Sequence, residues 1–182
     1  MNVEKILAYY PEKRLAHIRG VIEESKKLAE RYGADVEKAM TAALFHDIAK
    51  YRVKEWQDGA FPEVVLDEDT IEIPETIHAP LGAYLARKEF GIEDEEILHA
   101  IAGHTVGIVP MHKLDQILFL ADLIEPGRDF PGVENLRAAA YADLTGATLL
   151  AMKHTIQYLM GQGLLVHPAT IRAYNALIRQ SR

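Results

Sequence analysis

The amino-acid sequence predicts an all-α fold, a compact irregular helical bundle. Three observations predict it. Apolar residues recur at three- and four-residue spacing along most of the 182 residues. Residue types that stop and start helices bracket those stretches, Gly33 before Asp35 and Gly91 before Asp94. No apolar heptad persists, which sets the bundle apart from a coiled coil.

Taken in order, Pro11 suits the first position of a helix, because its φ is already helical and its missing N–H is not needed there. The run after it places Ile18, Val21, Ile22, Leu28 and Ala29 on one face. Gly33 stops this helix and Asp35 caps the next, which carries Ala39, Met40, Ala42, Ala43 and Leu44 into His46-Asp47. Residues 51–76 are the least regular part. Trp56, Gly59, Pro62 and Pro74 punctuate them, and Val64-Val65-Leu66 reads as an extended piece or a short helix. The segment is a lid-like insertion or a surface loop. Helical pattern resumes at Pro80 and runs to Phe90, where Gly91 stops it. Asp94 caps a helix through Ile97, Ala100 and Ile101 to His104, and Gly103 and Gly107 loosen the backbone around that histidine. Leu114, Ile117, Leu118 and Ala121 lead to Asp122. A Gly/Pro-rich loop follows, Glu125-Pro126-Gly127-Arg128-Asp129-Phe130-Pro131-Gly132. Helices around 134–142, 144–160 and 168–180 close the chain, with Gly161 and Gly163 between the last two. There is no internal repeat and no low-complexity tract, so residues 1–182 read as one domain.

Composition narrows the function classes. The chain is 49% apolar and 26% charged, as in an ordinary globular protein. Net charge is −7, from 20 basic and 27 acidic residues, which disfavours a nucleic-acid surface. A small polyphosphate remains acceptable, because bound metal ions supply positive charge locally. No apolar run approaches the roughly 18 residues that span a bilayer. The start, Met1-Asn2-Val3-Glu4-Lys5, lacks a secretory pattern. There are no cysteines, hence no disulfide and no thiolate nucleophile or ligand. The expectation is a cytoplasmic protein with a small-molecule partner, neither nucleic acid nor membrane. Oligomeric state is left open, a homodimer included.

The chemistry lies in the eight histidines and their acidic neighbours. His17 falls on the face of Ile18 and Val21; His104 shares the inward face of Ile97 and Ile101. Asp122 is four residues beyond Leu118, which puts a carboxylate on an apolar face. His46 and Asp47 are about 100° apart around a helix, so both can border one pocket. Burying an isolated carboxylate is costly, and a cation beside it removes most of that cost. Taken singly, an inward histidine is more often a hydrogen-bonded core residue, and an aspartate ending a helical run is more often a cap or solvated. Together with His78, these residues come from separate apolar segments, and as a set they read either as the ligands of a dinuclear centre or as separate core and capping residues. Four imidazoles and two carboxylates without sulfur suit iron, manganese, zinc, cobalt or nickel. Two ions sharing a carboxylate can hold a bridging hydroxide and stabilise charge developing at phosphorus. Asp47, central in the set, is the candidate bridge.

In that order, His17, His46-Asp47, His78, His104 and Asp122 resemble the HD-domain metal phosphohydrolase superfamily. The local sequences resemble one branch of it, the YqeK group of bacterial symmetrical diadenosine tetraphosphate hydrolases. The matching stretches are Leu44-Phe45-His46-Asp47-Ile48-Ala49-Lys50, His78-Ala79-Pro80-Leu81-Gly82-Ala83-Tyr84, His104-Thr105-Val106-Gly107, Leu165-Val166-His167-Pro168, and Ala121-Asp122-Leu123-Ile124 with the loop after it. The His-Asp pair alone is a weak motif; the Glu-Pro-Gly-Arg-Asp-Phe-Pro-Gly loop is far more specific. The resemblance implies an HD-type fold, with His17, His46, Asp47, His78, His104 and Asp122 as metal ligands. It implies two divalent or mixed-valence ions, iron first, with manganese, cobalt, nickel or zinc as alternatives. It implies cleavage of diadenosine tetraphosphate at its middle bridge into two ADP. Asp47, Lys50 and Arg128 then form the catalytic set, and Arg19, Lys50, Thr105, Arg128 and Asp129 the substrate contacts.

One stretch departs from that pattern. The branch has two threonines after the fourth histidine ligand and an arginine shortly beyond. Here Val106 replaces the second hydroxyl and no arginine follows, which touches substrate contacts rather than ligands. His112 is a stand-in donor or a surface residue. His99 is expected to be exposed, His154 lies mid-helix, and His167 fixes a turn or borders the pocket. Trp56 and Phe130 either stack on a base or pack. Two rivals stay open: an HD-type nucleotide or deoxynucleotide phosphohydrolase, and a non-catalytic nucleotide-sensing module.

Overall fold

The computed structural model describes residues 3–181. Among these there are eleven α-helices and no strand. They are α1 (Val3–Leu7), α2 (Glu12–Tyr32), α3 (Val36–Phe45), α4 (Val53–Gln57), α5 (Glu68–Glu72), α6 (His78–Phe90), α7 (Glu95–Gly103), α8 (Lys113–Ile124), α9 (Val133–Ala142), α10 (Leu144–Gly161) and α11 (Pro168–Gln180). A 3-10 turn, Pro74–Thr76, joins α5 to α6.

The expected punctuation works as capping. Gly33 takes a left-handed φ of 60° and donates its N–H to Ala29 O, closing α2 in a conformation that costs a residue with a Cβ. The Asp35 carboxylate accepts from Lys38 N, and that of Asp94 accepts from Glu96 N and Ile97 N. Helix α8 is the hub. It packs against α2, α3, α7, α9 and α10, and Ile117, Leu118, Leu120 and Ala121 have no exposed surface. Burying each of the larger side chains stabilises the fold by about 1.5–3 kcal/mol. Around this hub α2 packs on α3, α6 on α7, and α10 on α9 and α11. The buried Tyr10 hydroxyl donates to Leu44 O at 2.6 Å, pinning the end of α3.

Boundaries differ from the sequence reading where backbone groups found other partners. Pro11 precedes α2 instead of opening it. Helix α6 starts at His78, two residues before the expected Pro80, because a proline in the first turn sacrifices no helical hydrogen bond. Helix α3 ends at Phe45, so His46-Asp47 stand just beyond it. There Ile48 N bonds Phe45 O, Lys50 N bonds Asp47 O and Arg52 N bonds Ala49 O, a chain of tight turns rather than a helical face. Residues 51–76 are neither bare loop nor strand; they contain α4, α5 and the 3-10 turn, while Val64-Val65-Leu66 has no regular structure. Trp56 Nε1 donates to Val64 O at 2.9 Å and ties that stretch down.

Candidate metal centre

The six sequence-predicted ligands converge. His17 comes from α2, His46 and Asp47 from the turn after α3, His78 from the first residue of α6, His104 from the end of α7, and Asp122 from α8. Asp47 is 1% exposed and its two oxygens face opposite ways. Oδ1 lies 3.1 Å from His78 Nε2 and 3.9 Å from His104 Nε2. Oδ2 lies 3.5 Å from His46 Nε2 and 3.9 Å from His17 Nε2. Asp122 Oδ1 adds to the second group, 3.2 Å from His17 Nε2 and 3.9 Å from His46 Nε2.

The far side of two rings is committed. His46 Nδ1 donates to Ala43 O at 2.7 Å and His104 Nδ1 to Ile101 O at 2.7 Å. A carbonyl only accepts, so these rings carry their proton on Nδ1 and present a bare Nε2. His17 is flanked by carboxylates on both edges, Nδ1 3.1 Å from Glu125 Oε1 and Nε2 3.2 Å from Asp122 Oδ1. The Nε2 atoms of His17 and His46 stand 3.3 Å apart, and those of His78 and His104 3.1 Å apart. Ring nitrogens that close share a proton or a metal cation, since two bare acceptors would repel. The donor set therefore fits metal ions: three groups of ligand atoms, His17/His46/Asp47, His46/His104/Asp122 and Asp47/His78/His104, each lie within 4.8 Å.

Burial dominates the protonation of the rings. It lowers the His46 imidazole, and it pushes His104 down to about 3, assisted by His78 and His46. Both are neutral, as ligands must be, at pH 7. Burial alone would raise the Asp47 carboxyl, but His46, the His78 hydrogen bond, His104 and Lys50 hold it below the usual carboxylate range. Asp122 is likewise lowered against its burial, first by its contact with His17 at 3.2 Å, then by His46, Arg128 and His104.

A cavity of about 510 Å³ opens from the centre. His78, His104 and Asp122 form its floor, and Lys50 stands at its edge with Nζ 3.4 Å from Asp47 Oδ1. One side is apolar, with Phe119, Leu123, Leu159, Leu164 and Leu165. Val106 extends that side where the family pattern has a hydroxyl. Thr105 also lines the cavity, and its buried hydroxyl has no hydrogen-bond partner among the described residues. Ile73 and Thr76 make residues 51–76 part of the wall. Thr70 on α5 is tied to α11 through His167 Nε2 at 3.1 Å.

Other expected contacts lie elsewhere. Arg19 is half exposed and pairs with Glu4 on α1 at 3.1 Å. Asp129 is exposed and outside the cavity wall. Arg128 does not line the cavity either; its Nε donates to Asp122 O at 2.7 Å and its NH2 group holds Asp122 Oδ1. Phe130 packs on His154, ring centroids 5.0 Å apart. His99, expected exposed, is half-buried because its Nδ1 donates to the buried Asp115 at 3.0 Å. His112 caps α8 in a reciprocal pair with Asp115. His167 Nδ1 accepts from Ala169 N, so this ring caps α11 and borders the cavity.

Three residues escaped the sequence reading. Arg14, one turn before His17 on α2, donates Nε to Asp47 Oδ2 at 2.8 Å, with a second, closer bond from its NH2 group. Its three-residue spacing from a ligand was the available signal. Glu125 holds His17, and the only hint was a carboxylate inside the specific loop. Arg137 on α9 donates to Ile124 O, Glu125 O and Arg128 O, and no pattern in its helix announced that.

Comparison with known proteins identifies the family. The model of the HD domain matches residues 14–127. The chain is 41% identical over 181 residues to a symmetrical bis(5'-nucleosyl)-tetraphosphatase of Halalkalibacterium halodurans, covering 99% of this chain and 97% of that one. It is 42% identical over 190 residues to the protein of the same description from Bacillus subtilis, covering 100% of each. A crystal structure from Clostridium acetobutylicum, described as that of a predicted HD superfamily hydrolase involved in NAD metabolism, superposes with a TM-score of 0.90 at 38% identity, covering 99% of this chain and 98% of that one. The chain belongs to the HD domain family, in the branch that contains these tetraphosphatases.

Proposed function

We propose that this chain is a metal-dependent hydrolase that cleaves dinucleoside tetraphosphates symmetrically, diadenosine tetraphosphate first among them, to two nucleoside diphosphates. The observation that carries the reading is the division of the Asp47 carboxylate between two sets of imidazoles, beside a cavity that Lys50 lines together with an apolar wall and the carboxylates of Glu72 and Glu75. His17, His46, Asp122 and Asp47 Oδ2 would hold one ion; His78, His104 and Asp47 Oδ1 would hold the other, with iron as the favoured metal. When bound, such ions supply positive charge at the phosphates and lower the pKa of water.

The remaining work falls to the chain itself. Water adds to one central phosphorus, the P–O bond of the middle bridge breaks, and two nucleoside diphosphates leave. A nucleoside diphosphate is a good leaving group, so charge neutralisation matters more than proton donation. Lys50 supplies a fixed cation at the cavity edge, and the unpartnered Thr105 hydroxyl is a donor for a phosphate oxygen. The apolar wall of Phe119, Leu123 and Leu165 takes a nucleobase and keeps bulk water out. The full set of six ligands favours turnover over a sensing role.

Product analysis tests this directly. Protein loaded with Fe²⁺, Mn²⁺ or Co²⁺ should convert one diadenosine tetraphosphate to two ADP, without ATP or AMP, as read by ion-exchange chromatography. Release of orthophosphate from simple nucleotides instead would move the assignment to the nucleotide phosphohydrolases. Asp47→Ala should keep its helical circular dichroism and lose activity on the order of 10⁴-fold. An active Asp47→Ala protein would sink the two-cation reading.

A further inference from the structure

The loop after α8 is the most specific stretch of the sequence, yet Glu125 and Arg128 do not line the cavity. Their contacts run to the ligands instead. Glu125 is 3% exposed, with Oε1 3.1 Å from His17 Nδ1 and Oε2 accepting the Gly127 N–H at 2.6 Å. Gly20 on α2 makes room for this carboxylate: a Cβ there would come within 2.7 Å of Glu125 Oε2. Arg128 turns back on Asp122, and Arg137 clamps the loop backbone through the carbonyls of Ile124, Glu125 and Arg128 at 2.8–2.9 Å. The ligands these two side chains reach, His17 and Asp122, meet each other at 3.2 Å. On the opposite side of Asp47, His104 is oriented by an uncharged acceptor, the Ile101 carbonyl.

We propose that Glu125 is a positioning residue for His17 and that it makes the two cation sites unequal, the His17/His46/Asp122 side being the tighter. The proposal rests on the reading of the cluster as a two-cation site. The physical basis is the carboxylate–imidazole pair. An ionised carboxylate on Nδ1 holds the proton there, fixes the ring plane and raises the basicity of Nε2. A carbonyl does the first two and supplies less of the third. The braced side also has one more donor residue, since Asp122 joins His17, His46 and Asp47 there, against His78, His104 and Asp47 opposite.

Calorimetric titration with Mn²⁺ separates the sites. Wild-type protein should take up two ions with distinct affinities. Glu125→Ala should weaken one of the two by about 10–100-fold and leave the other within about twofold. Glu125→Gln should lose less, since an amide oxygen still accepts from Nδ1. Gly20→Ala should also weaken that site, by pushing the carboxylate aside without removing it, with circular dichroism checking that the helical fold is kept. In the metal-free protein, ¹⁵N NMR of the imidazoles should show His17 as the Nδ1–H tautomer, and a mixture in Glu125→Ala. Wild-type affinities at both sites in Glu125→Ala, an equal loss at both, or a mixed His17 tautomer in the wild type would each overturn the proposal. Uptake of fewer than two ions by the wild type would overturn the two-cation reading instead, and the tautomer measurement would still judge the Glu125–His17 pair.

Discussion

His46 and His104 share one local device. Each stands just past the end of a helix and donates Nδ1–H to the carbonyl three residues back, Ala43 and Ile101 respectively. The device aims Nε2 inward and leaves the ring in a buried place where its charged form is disfavoured. The consequence for pH dependence has a definite sign. His104 is depressed to about 3 in the folded chain, whereas an unfolded histidine titrates near 6.5. Below about pH 6.5 the unfolded chain binds a proton that the folded chain refuses, so stability present above that pH is lost as pH falls towards about 3. In protein stripped of metal, His104 alone should cost about 2 kcal/mol between pH 7.5 and pH 5, with His46 acting in the same direction. Urea unfolding at the two pH values measures it; equal stability at both would contradict the assignment. Single residues were unevenly legible in the sequence. Polar side chains on apolar helix faces pointed to His17, His104 and Asp122. Arg14 and Glu125 were not legible in that way, because their roles depend on which atom of a distant segment they touch, Asp47 Oδ2 and His17 Nδ1.

At the scale of elements, four of the six candidate ligands lie where helices begin or end. His78 opens α6, His104 follows α7, and His46-Asp47 follow α3, so cap energetics position the chemistry. Asp94 illustrates the coupling. It caps α7, whose far end delivers His104, and it also pairs with Lys38 on α3 at 2.9 Å. Asp94→Ala should destabilise the chain by about 1 kcal/mol, most of it from the cap. The ion pair adds little, since both partners are partly solvated. A shift of the urea midpoint with an unchanged slope would be the signature, and no shift would mean the cap is not holding the helix. Caps were also what made the elements legible. Asp35, Asp94, Gly33 and Gly91 act locally, within a few residues, and a local rule can be read from a local string. Residues 51–76 resisted because short helices such as α4 and α5 are too brief to show a period; the tie between Thr70 and His167 that seats them spans 97 positions.

For the whole molecule, the centre is a junction. Its candidate ligands arrive from α2, the turn after α3, α6, α7 and α8, so ions bound there would tie five segments of the folded state and none of the unfolded one. Removing metal with a chelator should therefore lower stability by about 4 kcal/mol if the free ion stands near 1,000 times its Kd. For a chain of this size that is a drop in Tm of roughly 10 °C, read by differential scanning calorimetry with and without added Mn²⁺. An unchanged Tm would mean that the cluster binds no ion tightly. By itself the sequence determined the helical class and most of the helices, because periodicity and caps leave a mark in the local order of residues; the six residues of the cluster became legible only when polar side chains on apolar faces were joined to the resemblance to the HD family. The tertiary structure decided which oxygen of Asp47 meets which imidazoles, that Lys50 reaches the cavity edge, that Arg19 does not line the cavity, and that the loop of Glu125 and Arg128 grips ligands. Those are distances between atoms far apart in the chain. Packing around α8 sets them, and no local pattern encodes a distance across the core.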